Sequence, residues 1–254
     1  MLKLVGEQEA DRIVAFLDDK GAIAARICAY LRCYCTLMND IYFWSQDNNG
    51  EISAVISRVD GNMTVYADGR ADFDEISEFV RIIGFSTLLM SYEHFGEIGI
   101  NPHSSGDILC FRDDVKPVSR DNISDNADLK AAYELLRINK SESIEVTEYL
   151  PWLSDFTYKR NRNSARMKSL FRDGMQVCFA MTSAETDKSA LISGVVTDRG
   201  YRKQGYASSV VSALCDELKR EGKAVYIMTA SEENKNFYLK NGFACIGKWG
   251  SVIG

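Results

Sequence analysis

The sequence predicts a mixed α/β fold made of two similar units, on three observations. Residues 1–112 read as two helices, a three-strand meander, a helix and a strand, and residues 128–254 repeat that order. Between them, residues 113–127 are polar with a single proline, as a linker would be. In the second half, a β-branched run ending at Thr197 feeds a short glycine-containing turn that opens a helix at Ala207.

In the first half, Ile13, Val14 and Leu17 recur at helical spacing within 9–17. A second helix is predicted from Ala22 to about Met38, with Ile23, Ile27, Tyr30, Leu31 and Tyr34 on one face. The period then changes to that of strands: 41–45, a turn at 47–50, 52–57, a turn at 60–62, and 64–67. A helix from Asp72 to Ile83, with Phe73, Ile76, Phe79, Val80 and Ile83 facing in, ends near Gly84 and leads to a strand at 85–91.

In the second half, 128–136 and 146–158 read as helices, with Pro151 suited to a first turn. Leu170-Phe171, the turn Arg172-Asp173-Gly174 and 175–181 form a hairpin, followed by a strand at 190–197. The helix at 207–221 buries Val210, Val211, Leu214 and Leu218 and stops at Gly222. A strand at 224–229, a helix capped by Ser231 and ended by Gly242, and a strand at 244–249 complete the order.

A strand that enters a helix through a glycine turn presents free backbone N–H groups at the positive end of the helix dipole, a seat for an anion. Neither G-x-x-x-x-G-K-[ST] nor G-x-G-x-x-G is present, which removes the main support for nucleoside-triphosphate and dinucleotide binding. The turn, Arg202-Lys203-Gln204-Gly205-Tyr206-Ala207, resembles the acetyl-CoA signature [RQ]-x-x-G-x-[GA] of the GNAT acetyltransferases. The preceding V-x-T strand, the helix after the turn, the next strand, and Tyr238 shortly before Gly242-Phe243 follow in the order that family has.

The resemblance covers about 126–254 and implies transfer of an acetyl group from acetyl-CoA, as cosubstrate, to a primary amine of a small molecule or peptide. It further implies that the sheet splays at Val195, Val196 and Thr197 to expose backbone to the pantetheine arm. Arg202, Lys203, Gln204, Gly205, Tyr206, Ala207 and Ser208 would hold the pyrophosphate, Asn234 would lie near the cofactor, and Tyr238 would be the catalytic acid. The first half carries Asp68, Asp72, Asp74 and Glu75 where a phosphate loop would be, and reads as a degenerate copy that supports the second domain or walls the acceptor pocket.

Composition excludes other classes. The net charge of −6 gives no reason to bind nucleic acid or an anionic membrane. No run is apolar enough for a membrane span, and Glu7, Glu9 and Asp11 argue against a signal peptide. The odd number of cysteines, 7, points to reduced thiols in a cytoplasmic protein. With 2 histidines, neither a metal site nor a Ser-His-Asp triad has much to work with.

An attacking amine must be neutral, so a base or a water relay is expected. Glu185, Asp198, Glu232 and Glu233 are near the right elements, and the sequence does not choose among them. Residues 157–172 hold Lys159, Arg160, Arg162, Arg166, Lys168 and Arg172 with no acid, either a solvated face or a basic rim for an acidic acceptor or the nucleotide end of CoA. Besides an enzyme, the sequence admits a non-catalytic CoA-binding regulatory module and, less readily, an interaction scaffold.

Overall fold

The computed structural model describes residues 1–34, 40–48, 50–112, 122–139 and 148–254. The far end of the helix expected to reach Met38, position 49 of the first turn, most of the linker, and the first residues of the helix expected from Val146 lie outside the described residues. The chain forms two compact units that interleave in sequence: the first takes 1–109, 228–235 and 245–254, the second 110–227 and 236–244.

The first unit starts with β1 (Leu2–Leu4), α1 (Glu7–Leu17) and α2 (Ala22–Tyr34), followed by β2 (Ile41–Asn48), β3 (Glu51–Val59) and β4 (Asn62–Ala67). Then come α3 (Phe73–Ile83), β5 (Thr87–Ser91) and β6 (Ser104–Phe111), which passes into the second unit at its end. The predicted meander is present, and its second turn works because Asp60 and Gly61 both take positive φ, 49° and 79°. Ile76 and Val80 of α3 pack into the core with Phe73 and Phe79 against it, whereas Ile83, expected to face in, is 39% exposed. β1 and β6 were not legible: β1 is three residues long and only one of its neighbours, Val5, is buried.

The second unit contains β7 (Ile123–Ser124), α4 (Leu129–Ile138), α5 (Tyr149–Arg160), β8 (Met167–Arg172), β9 (Met175–Glu185), β10 (Ser189–Thr197) and α6 (Tyr206–Arg220). β11 (Ala224–Thr229) and α7 (Glu232–Lys240) each have residues in both units. The strands of the second unit run in the order β11-β10-β9-β8-β7, antiparallel except for the β10–β11 pair. Val210, Val211, Leu214 and Leu218 of α6 are fully buried, as their spacing predicts. The last strand, β12 (Phe243–Ile253), outruns its predicted end at Trp249, because residues 249–253 pair antiparallel with β5 in the first unit.

The basic run of 157–172 is mostly not a solvated face. Lys159 is buried against Asp155, and Arg162 lies 3.5 Å from the centre of the Tyr158 ring. Lys168 pairs with Asp125 and Glu217, and Arg166 reaches Glu185 at 2.7 Å, Glu217 at 2.5 Å and Glu221 at 2.6 Å. Hydrogen bonds from Arg166, partly opposed by burial, and then from Lys223 hold the Glu221 carboxyl down to about 2. That carboxylate favours the folded state above the ordinary glutamate range near 4.3, and the contribution fades as pH falls toward 2. Glu185 is 1% exposed, so removing its partner strands a buried charge that only Lys223 and Thr182 still answer. Arg166→Met should therefore cost about 3 kcal/mol, read as a lower denaturant midpoint at unchanged slope. A loss under ~0.5 kcal/mol, the scale of a solvated surface pair, would show that the network does not hold the unit together.

Candidate functional site

β10 and β11 run parallel from Ser189↔Ala224 to Ile192↔Ile227 and pair no further. Beyond Ile192, β10 pairs only with β9, so the edge of Val195, Val196 and Thr197 that would face β11 is left open. A register shift between Ser193 and Val196 places Gly194 and Val195 opposite the single residue Ala180, a bulge that needs the positive φ of Gly194, 60°. The β-branched run hides this bulge in the sequence, since Val195 and Val196 fit an ordinary strand equally well. The three residues expected at the splay are therefore where the strands part. At its end, Thr197 Oγ1 lies 3.1 Å from Cys178 Sγ, and burial pushes the Cys178 thiol up to about 11.

After β10, Asp198 Oδ1 accepts from the Gly200 amide at 2.8 Å and turns the chain. Lys203 and Gly205 then take positive φ, 61° and 80°, with Gln204 between them. Left-handed residues at this spacing turn successive N–H groups toward one side. Gly205 is the N-cap of α6, and no side chain caps the helix. The amides of Gln204, Gly205, Tyr206, Ala207 and Ser208 have no hydrogen-bond partner among the described residues. A row of unanswered N–H groups at the start of a 15-residue helix favours an anion. A Cβ on Gly205 would meet no atom within 4 Å, so the space in front of the turn is open.

Side chains brace the turn from behind. Arg202 donates to the Thr197 carbonyl at 3.4 Å and to Asn139 Oδ1, and Arg199 donates to the Ile138 carbonyl at 3.3 Å. Arg172 donates to the Tyr206 hydroxyl at 3.1 Å. Asn139 was not singled out by the sequence, because its partner is 63 residues away, and Arg172 entered only as one of the basic run, its partner Tyr206 lying 34 residues away. Arg202 thus ties α4 to the end of β10 as well as standing in the turn.

Tyr238 is 6% exposed, packed edge-on to Phe237 at 5.0 Å and Phe243 at 5.5 Å. Burial, with Cys215 nearby, raises its phenol well above the ordinary tyrosine value, so it stays protonated at neutral pH. Its hydroxyl makes no hydrogen bond among the described residues. Asn234 is exposed in the first turn of α7, its amide donating to Ser231 Oγ at 3.3 Å, and it falls in the first unit's share of that helix. Among the expected bases, Glu185 is committed to Arg166, Lys223 and Thr182, and Asp198 is committed to its turn. No group of His, Cys, Asp and Glu among the described residues could hold a metal ion.

The first unit shows the same strand geometry with a different helix start. β4 and β5 run parallel over Asn62–Thr64 and Thr87–Leu89 only, then part. But Asp72 caps α3 with its own carboxylate, accepting from the Glu75 amide at 3.0 Å. The turn before it is filled by Arg70, which binds Asp68, Glu51 and the Ile52 carbonyl. The acidic stretch expected to repel a pyrophosphate is thus partly neutralised, and the anion seat is closed by the cap and by Arg70 instead.

Residues 129–243 match the sequence model of the Acetyltransferase (GNAT) family. No curated protein sequence matches the chain. Among solved structures, a tandem GNAT protein from the clavulanic acid biosynthesis pathway is 14% identical with a TM-score of 0.64, covering 99% of this chain and 97% of its own. A GCN5-related N-acetyltransferase from Sphaerobacter thermophilus is 14% identical with a TM-score of 0.63, covering 99% and 94%. An acetyltransferase of the GNAT family from Colwellia psychrerythraea is 11% identical with a TM-score of 0.60, covering 99% and 98%. At these identities the likeness is one of fold, two GNAT-like units of mostly antiparallel splayed sheet and flanking helices. The match to the family falls on the residues that hold the parted strands and the uncapped helix, and residues 129–243 form a domain of the GNAT acetyltransferase family.

Proposed function

We propose that the second unit transfers an acetyl group from acetyl-CoA to a primary amine of a small molecule or peptide, and that the first unit is a copy that has lost its phosphate loop. The single observation that carries this reading is the row of unpartnered amides from Gln204 to Ser208 beyond the parted end of β10. Those amides would hold the pyrophosphate, and the open edge of Val195–Thr197 would pair with the pantetheine arm. The chemistry acetyl-CoA supplies when bound is an activated acyl group, its C–S bond breaking as the amine nitrogen bonds to the carbonyl carbon. Tyr238 would give its proton to the departing thiolate, whose conjugate acid resembles a thiol of pKa near 8.5. The proton leaving the amine goes to water or a base, and Glu185 is excluded from that role by its ion pairs.

Free-thiol release from acetyl-CoA, followed with a panel of amino acids, polyamines, aminoglycosides and peptides, tests the assignment. Release that depends on one amine class is expected. Tight CoA binding with no release for any amine would favour the non-catalytic regulatory module. A cytoplasmic setting is part of this reading, supported by the buried thiols of Cys110, Cys178 and Cys215, which form no disulfide; among the described residues no helix is long and apolar enough to cross a membrane.

A further inference from the structure

The opening between β4 and β5 of the first unit is not filled. It holds a cavity of about 730 Å³, bordered by Lys20–Ile23 at the start of α2, Val65–Gly69 at the end of β4, Ser91–His94 after β5, Ile108 of β6 and Ile246–Lys248 of β12. It opens to solvent at the exposed residues Ile246, Gly247 and Lys248, and clefts of this size are where small organic molecules bind. A nucleotide cofactor does not suit it, since Asp72 and Arg70 occupy the place a pyrophosphate would need.

We propose that this cavity is a binding site of its own, separate from the acetyl-CoA site, for a small monoanionic organic acid. The wall is apolar where Ile23, Val65, Ala67 and Ile108 line it, which suits a short hydrocarbon or aromatic body. Lys20 and Lys248 line it against Asp68 and Glu93, and both acids are either engaged or turned to solvent. Asp68 is bound by Arg70 at 2.7 Å, and the Glu93 side chain is 76% exposed. Among the described residues Lys20 makes one ion pair, with Asp19 at 3.6 Å on the surface, and lies 6.0 Å from the centre of the Phe16 ring. Lys248 has no ion-pair partner among the described residues, and the nearby Asp107 is already answered by Lys235 at 3.0 Å. One uncommitted ammonium over an apolar wall selects one carboxylate rather than a polyanion. The unpaired edges of β4 and β5 add backbone groups for an oxygen-bearing ligand.

The test uses the full chain and 4-phenylbutyrate, with 4-phenylbutyramide as the neutral control, read by calorimetry and ligand-observed NMR. Saturable binding of the acid, with the amide at least about tenfold weaker, is expected. Lys248→Gln should weaken the acid about tenfold and leave the amide unchanged. Ile246→Trp, at a position 45% exposed on the cavity wall, should abolish binding of both by filling the space. Circular dichroism and thermal unfolding of the same variants show whether they are folded, and failure of acetyl-CoA binding in the wild type would count against the proposed transferase alone. Equal affinity for acid and amide, binding that survives Ile246→Trp in a folded chain, or no saturable binding of the acid would each overturn the proposal.

Discussion

Gly205→Val should abolish acetyl-CoA binding while the chain remains folded. Gly205 holds φ 80° and ψ 0° as the N-cap of α6, a conformation that a β-branched residue adopts only with about 1–3 kcal/mol of strain. In the free protein the new side chain would enter open space, since nothing lies within 4 Å of a Cβ there. Folding should therefore survive at a modest cost. That same open space is where a phosphate must approach the amides of Gln204 to Ser208. Strain that shifts the turn, and bulk in front of it, act together on binding. An affinity loss of at least about 100-fold is expected by calorimetry, equivalent to the loss of two charge-assisted hydrogen bonds. Gly205→Ala should fall in between, because it carries the strain with less bulk. Near-normal affinity in a folded valine variant would place the cradle elsewhere.

Tyr238→Phe should lower kcat roughly 100-fold and leave acetyl-CoA affinity and stability close to wild type. The separation is clean because the hydroxyl makes no hydrogen bond among the described residues, so the phenylalanine ring keeps the contacts with Phe237 and Phe243 and strands no partner. Burial holds the phenol protonated, so wild-type kcat should not fall between pH 7 and 9 through loss of this acid. Wild-type kcat in the phenylalanine variant would remove Tyr238 from the mechanism and leave it a core aromatic.

Features held together by near neighbours in sequence were legible, and features held by distant partners were not. The turn at Arg202–Ala207 is a local device, and its glycine and the helix after it sit where the spacing puts them. The meander and its Asp60-Gly61 turn are local for the same reason. The role of Arg166 was not legible, because its acidic partners lie 19, 51 and 55 residues away on β9, α6 and the residue after α6. The parting of β10 from β11 was inferred from the resemblance alone, since strand pairing of this kind leaves no mark in the periodicity. The path of β12 escaped for a similar reason: its strand pattern is read only as far as Trp249, and its continuation shows only once β5 is seen beside residues 249–253.

The central claim is that acetyl-CoA has one seat in this chain, at the uncapped start of α6, while the capped start of α3 offers none. Calorimetric titration of the intact protein with acetyl-CoA tests it most directly. The account predicts saturation at one equivalent per chain, with the same stoichiometry for CoA. Saturation at two equivalents, or no binding at all, would contradict it.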